Sequence, residues 1–348
     1  MSQRLHHPTF LRLLAGSLIL VLAAMSAPAS ARTTVKMATL VPDGSAWDKI
    51  LKDMGAEWQT TTGGEVSLRI YAGGVAGDEP DILRKMRIGQ LQGAMLSVSG
   101  LSLVDPALQV FQIPLLYRDD DELRHVMESM TPVFERRLEE RGFVLVHWST
   151  AGWLRIFSRE PFDSLEEFKG LKQFVWGGGS KMTVWYRELG FDAVPLASTD
   201  VLAALQTGLI DALPSTPLAA LSLQWFRSAP YMLEHRIAPL VGAFVATQRG
   251  WSAIPSASRP AVLEAARRSG DFLLVEVAKQ GEQAIVAMEE RGLVPIRADT
   301  DTNRDRWQAI TDHFARRMLE NDVPREIFDR VEELLAEYRA RRAERGSD

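Results

Sequence analysis

Gly170-Leu171-Lys172-Gln173-Phe174-Val175-Trp176, then Gly177-Gly178-Gly179, and further on Thr199-Asp200-Val201-Leu202-Ala203-Ala204-Leu205-Gln206-Thr207-Gly208-Leu209-Ile210-Asp211-Ala212-Leu213, is the stretch that decides the fold. Residues 170–176 read as a short strand leaving a charged helix, and the three glycines as a turn. Residues 181–189 read as a helix, and 199–208 as another, with Ser198 or Thr199 as N-cap and Gly208 just past its end. Residues 209–213 read as a second short strand. This is a βαβ rhythm, which places ligand-facing groups at strand ends.

The same alternation extends in both directions. Residues 35–40 form a buried strand, and Trp47, Ile50, Leu51, Met54 and Trp58 then recur at helical spacing. Val66, Leu68 and Ile70 alternate with polar residues as in a strand. A loop over Gly73 to Asp78 precedes a helix over 79–90, and 95–98 is another short apolar stretch. Residues 119–140 form a charged amphipathic helix, and 143–149 a strand. The chain crosses to a second lobe near Ala151, and 238–247 is β-branched enough to return as a strand. Helices follow over 218–227, 260–290, 305–320 and 324–342, with Gly270 and Gly281 as points where the long one bends. The lobes expected are 32–150 with about 238–280, and 151–237 with about 281–330, leaving 331–348 as a charged helix and frayed tail.

Residues 1–31 read as a processing segment: Arg4 and Arg12 flank the start, 13–25 is an apolar run, and Ala29-Ser30-Ala31 is a cleavage site. The run falls short of the roughly 20 residues a membrane span needs. The expected location is the periplasm. The net charge of −5 argues against nucleic acid as a partner. The absence of cysteine excludes disulfides, thiol chemistry and a lipid-modified N-terminal cysteine.

No catalytic or metal motif stands out, so neither an enzyme nor a cofactor is expected. Gly177-Gly178-Gly179-Ser180-Lys181 lacks the glycine spacing of a phosphate loop. His125, His147, His235 and His313 are scattered, and Asp119-Asp120-Asp121-Glu122 suits a helix start better than a metal. Trp148, Trp153, Trp176 and Trp185 divide between core packing and a cleft wall for an apolar ligand.

Several stretches together carry a resemblance: Ala38-Thr39-Leu40-Val41-Pro42-Asp43-Gly44-Ser45, Tyr71-Ala72-Gly73-Gly74-Val75-Ala76-Gly77-Asp78, Ile113-Pro114-Leu115-Leu116-Tyr117, Phe168-Lys169-Gly170-Leu171-Lys172 and Leu202 to Asp211. In order and spacing the chain resembles the DctP-type substrate-binding subunit of TRAP (tripartite ATP-independent periplasmic) transporters. The resemblance implies an α/β, two-lobed periplasmic binding protein with a ligand cleft between the lobes and a long helix spanning both. It implies a solute receptor that closes on a small organic ligand and delivers it to the membrane subunits, driven by an ion gradient. The alternatives are the binding protein of an ATP-driven importer and a ligand-presenting sensor module.

The chain departs from the family pattern where it matters most for a ligand. The strand after Gly-Leu-Lys ordinarily carries an arginine that grips a carboxylate as a bidentate fork. Here that position is Phe174. A second arginine of many members falls on Leu154, with Arg155 next to it; adjacent strand residues face opposite ways, which favours Leu154 as the cleft residue. The family's asparagine falls near Ser215. An apolar pocket cannot offset the desolvation of a carboxylate, so a neutral or hydrophobic ligand is expected. The expected ligand-binding residues are Phe174, Leu154, Trp176, Ser215, Trp47, Trp153 and Arg155, with the Gly73 to Asp78 loop. Members that lack this arginine suggest a further periplasmic helical-repeat partner.

Overall fold

A computed structural model describes residues 32–177, 181–297 and 304–345. The export segment with its cleavage point after Ala31, and Gly178 and Gly179 of the glycine turn, lie outside the described residues. The chain opens with β1 (Thr33–Thr39), α1 (Ala46–Thr61), β2 (Val66–Tyr71), α2 (Glu79–Arg87), β3 (Gly93–Ser97), α3 (Val98–Leu101), a 3-10 turn (Pro106–Gln112), α4 (Asp120–Glu139) and β4 (Phe143–Trp153). It continues with β5 (Arg155–Ser158), α5 (Leu165–Gly170), β6 (Lys172–Trp176), α6 (Met182–Glu188), β7 (Asp192–Leu196), α7 (Val201–Thr207), β8 (Ala212–Ser215), α8 (Pro217–Ser222) and β9 (Tyr231–Leu233). Last come β10 (Pro239–Thr247), α9 (Gln248–Ser252), α10 (Arg259–Glu289), β11 (Val294–Ile296), α11 (Arg304–Asn321) and α12 (Arg325–Arg345).

The strands form two sheets, ordered β2-β1-β3-β10-β4 and β11-β9-β5-β8-β6-β7. In the first, β1 is parallel to β2 and β3, and β10 runs antiparallel to both β3 and β4, so β1 to β4 all point one way. In the second, β6 is parallel to β7 and β8, while β5 runs antiparallel to β8 and β9. The strand β4 becomes β5 with Leu154 alone between them. The carboxyl ends of β1 to β4 therefore face the carboxyl ends of β6 to β8 across that residue.

Each sheet is covered on both faces, as the apolar runs of its strands require. On the first sheet, Val35, Met37, Val146 and Phe244 pack with Leu51, Met54 and Trp58 of α1 and Val262, Ala265 and Leu273 of α10. The opposite face, with Ala94, Leu96, Leu145 and Val245, packs on α2, α4 and α12 through residues such as Ile82, Phe134 and Val331. On the second sheet, Phe157 and Leu213 meet Val201, Leu205 and Ala220 of α7 and α8, and Met288 of α10. Its other face sets Ile156 and Ala212 against Phe162, Leu165 and Phe168. Helix α10 thus starts on one sheet and ends on the other; its 31 residues span roughly 46 Å.

The sequence reading needs correction at several element ends. The strand entering the second sheet runs on to Trp153, so the crossing is at Leu154 rather than Ala151. Helix α2 stops at Arg87, short of Gln90. Residues Ser198–Asp200 form a 3-10 turn, and α7 starts at Val201 without a side-chain cap from Ser198 or Thr199. The strand expected at 209–213 starts at Ala212, because the Leu209 and Ile210 amides donate back to Ala204 O and close the helix. Helix α8 ends at Ser222, and Gln224 at φ 60° breaks it from the turn Trp225–Arg227. The C-terminal segment is not a frayed tail. Helix α12 continues to Arg345, with Arg339 bonded to Glu122 and Leu116 O, and Arg342 to Asp119. Beyond β11 the chain touches both lobes: Val323 and Ile327 pack into the cluster beneath the first sheet, while α11 sets Phe314 against Tyr186 and pairs Arg317 with Glu188 of α6.

Candidate functional site

The cleft is framed by what leaves the carboxyl ends of the strands. From the first sheet these are the loop after β1 that leads to Ser45, the Gly73 to Asp78 loop after β2, and Ser97 at the end of β3. From the second they are Trp176 and Gly177 after β6, Ala197 to Thr199 after β7, and Ser215 and Thr216 after β8. Four chain passages join the lobes, the last being the return from β11 to α11 and α12. Two are bonded to each other: the Leu154 amide donates to Ala238 O at 2.8 Å, and the Ile237 amide donates to Leu154 O at 2.9 Å. The third is α10.

Within the Gly73 to Asp78 loop, Asp78 N-caps α2, its Oδ1 accepting the Glu79 amide at 2.9 Å. Its Oδ2 accepts Trp176 Nε1 at 2.9 Å and the Ser198 amide at 3.2 Å, both from the other lobe. Glu79 turns inward. Its carboxylate accepts the Ser97 amide at 2.5 Å and Ser97 Oγ at 2.7 Å. Burial pushes this carboxyl up to about 7, and the Ser97 bonds recover only part of that.

The expected ligand residues separate into those the structure gathers at the cleft and those it does not. Leu154 and Trp176 are half-buried and lie outside the four buried apolar clusters of the described residues. Ser215 is buried at the end of β8, with Oγ donating to Thr216 O at 3.1 Å. Phe174 sits two residues before Trp176 on the same face of β6, paired with Val194 of β7 and packed, half-buried, against the apolar cluster of the second sheet that holds Phe157 and Leu213. Arg155 pairs in register with Ser215, but its guanidinium is spent on the hinge: Nη1 donates to Glu234 O, and Nη2 lies 4.0 Å from Glu282 of α10. Only 9% of Arg155 is exposed, and burial holds its pKa below the usual arginine range. Trp153 belongs to the core under the first sheet, its Nε1 donating to Asp120 at 2.9 Å, and Trp185 lies in the same core. Trp47 is 8% exposed on α1, in the apolar cluster against which Leu218 and Ala219 of α8 from the other lobe also pack. Its indole N–H is buried with no acceptor among the described residues.

Glu79 and Ser198 were not legible as site residues from the sequence. Asp78-Glu79-Pro80 signals a helix start and nothing more. No group of three or more His, Asp or Glu side chains that could hold a metal exists among the described residues. Of the four-acid run, Asp119 caps α4, Asp120 takes Trp153, and Glu122 takes Arg339. No helix among the described residues is long and apolar enough to cross a membrane.

The profile of the bacterial extracellular solute-binding proteins, family 7 (DctP), matches residues 37–322. The chain belongs to this family. It is 23% identical over 305 residues to the sialic acid-binding periplasmic protein SiaP of Vibrio cholerae, covering 85% of this chain and 92% of that one. Among solved structures, DctP7 of Bordetella pertussis, an extracytoplasmic solute receptor binding pyroglutamic acid, aligns at TM-score 0.79 and 19% identity, over 87% of this chain and 99% of that one. A TRAP periplasmic solute-binding protein of Haemophilus influenzae with bound L-gulonate aligns at TM-score 0.80 and 18% identity, over 87% and 100%. The DctP chain described here is thus a two-lobed TRAP-type solute receptor rather than an enzyme. Receptors of this family work in the periplasm, bind small organic ligands and deliver them to TRAP membrane subunits.

Proposed function

We propose that the ligand this receptor delivers is a neutral or largely apolar organic molecule rather than a simple carboxylate. The observation that carries this is the commitment of Arg155: the arginine next to the expected clamp position is nearly buried and bound to Glu234 O beside Glu282, and the neighbouring Arg236 is itself paired with Glu282 at 3.1 Å. At the clamp positions themselves stand Phe174, packed among apolar side chains, and Leu154. A carboxylate placed there would lose its hydration without a cation in return. The receptors of Bordetella pertussis and Haemophilus influenzae carry pyroglutamic acid and L-gulonate, so this chain would have departed from relatives of its own fold. The unspent N–H of Trp47 supplies one polar anchor, suited to a carbonyl, ether or hydroxyl oxygen of the ligand. Leu154, Phe174, Trp176 and Ser215 would line the second lobe's wall, with Arg155 supporting it from behind.

The moving bodies in this reading are the first sheet with α1 to α4, α9 and α12, and the second sheet with α5 to α8. Export by a signal cleaved after Ala31 fits the start of β1 at Thr33. A helical-repeat partner beside the membrane subunits rests on the missing arginine alone. Calorimetric titration of the mature protein with succinate and with glucuronate tests the ligand class. No saturable heat is expected up to about 1 mM, a limit near −4 kcal/mol. Micromolar binding of either acid contradicts the proposal.

A further inference from the structure

Besides the contacts of α6 with α11 and the turn after it, such as Arg317 to Glu188 and Lys181 to Asp322, the two lobes touch at the cleft mouth, and this contact too is made by the protein's own side chains. Asp78 lies on the first lobe, only 8% exposed, with Oδ2 bonded to Trp176 Nε1 and to the Ser198 amide of the second lobe. Beside it, a Cβ built on Gly74 would lie 3.0 Å from Thr199 Cγ2, so the Gly74 backbone sits close against the Thr199 side chain of the other lobe. The carboxylate is presented on a rigid mount. Its other oxygen caps α2, and the next residue, Glu79, ties the same helix end to Ser97 at the end of β3. A Cβ on Gly100 would meet Glu79 Oε2 at 2.6 Å, so this mount is packed without slack.

We infer that Asp78, Trp176 and Ser198 form a closure latch that holds the lobes together independently of any charge on the ligand. In a receptor with charged clamps, an anionic ligand bridges the lobes. Here an acidic group of the first lobe is itself the bridge, and its partners are an indole N–H and a backbone amide. Hydrogen bonds to a carboxylate acceptor are the strong kind, and each shifts a closed-to-open ratio by about tenfold or more. Trp176 is then a positioning residue: its N–H acts through Asp78 on closure. The inference does not depend on which ligand the cleft takes, so it stands or falls apart from the neutral-ligand proposal.

The natural chain has no cysteine, so two spin labels report the lobe separation cleanly. Ile88 just past the end of α2 and Leu209 in the turn between α7 and β8, both exposed, are replaced by cysteine. The full mature chain is unfolded and refolded to strip bound molecules, and the interlabel distance and Ser198 amide exchange are measured. The ligand-free parent shows one short distance and a protected Ser198 amide. Trp176→Phe, which removes one N–H and leaves the α2 cap intact, adds a longer-distance population. It also speeds Ser198 exchange about tenfold, the ratio one such bond supplies, while the unfolding midpoint of each lobe stays put. Asp78→Ala does the same more strongly, and should it fail to fold, Trp176→Phe decides. An unchanged distance distribution with unchanged Ser198 exchange in Trp176→Phe overturns the latch, as does a ligand-free parent that is already open.

Discussion

His147 and Glu79 are buried titratable groups that burial moves in opposite directions. His147 keeps Nδ1 on Trp148 O at 2.8 Å while burial pushes its pKa down to about 4. The unfolded chain takes up this proton first, so stability present above about pH 6.5 is lost as pH falls towards 4, by ~3 kcal/mol at most. Glu79, pushed up to about 7, has the reverse sign: stability declines as pH rises from about 4.5 through 7, by a similar ~3 kcal/mol. Over this window, the unfolding midpoint of Glu79→Gln should therefore rise relative to the parent as pH increases. A difference that falls with pH would mean the carboxyl is natively ionised. For His147→Gln the difference should grow as pH falls from 6.5 to 4. Single residues were also where the sequence was least informative. Trp153, Trp176 and Trp185 share a composition and a neighbourhood, yet Trp153 and Trp185 are core while Trp176 reaches across to Asp78. A cross-lobe hydrogen bond leaves no periodicity to read. Arg155 likewise looks like a free cation until Glu234 and Glu282 are placed beside it.

Elements were far more legible, because amphipathic spacing and capping are local. Helices α1, α4 and α10 follow from their apolar stripes, and Ser45 and Asp119 cap where a polar residue precedes the stripe. What failed were ends decided by tertiary contact, such as Leu154, where one extended run passes from sheet to sheet. The long helix makes a sharp test of local against tertiary control. A Cβ on Gly270 would sit 2.8 Å from both His147 Nδ1 and Trp148 O, whereas one on Gly281 meets nothing within 4 Å. Alanine at either site gains about 0.5–1 kcal/mol of helix propensity. At 281 that gain should appear as a higher urea midpoint. At 270 the helix must lift off β4, and overpacking should cost a net 1–2 kcal/mol. Equal midpoints for the two variants would remove α10 from its assigned role as the stiff strut along β4.

At the scale of the molecule, the fold is two covered sheets held by a double hinge, one long helix and a C-terminal brace. The brace is α12, whose Arg339 bonds the 2%-exposed Glu122 and the carbonyl of Leu116. Arg339→Ala would leave that acid without its cation and should cost ~2 kcal/mol, discounted for the partly exposed arginine. A denaturation midpoint within error of the parent would show the helix to be merely docked. The two-lobed architecture was readable from strand–helix alternation and family motifs, since both are written along the chain. The proposed ligand class rests on Phe174 and Leu154 standing where arginines were expected. The most direct test is to purify the mature protein from cells that make it naturally, denature it, and identify any released small molecule by mass spectrometry. A neutral or lipid-like molecule, absent from Phe174→Arg protein, is the predicted result. A released dicarboxylate or sugar acid would contradict the account and turn Arg155 from hinge support into the ligand's clamp.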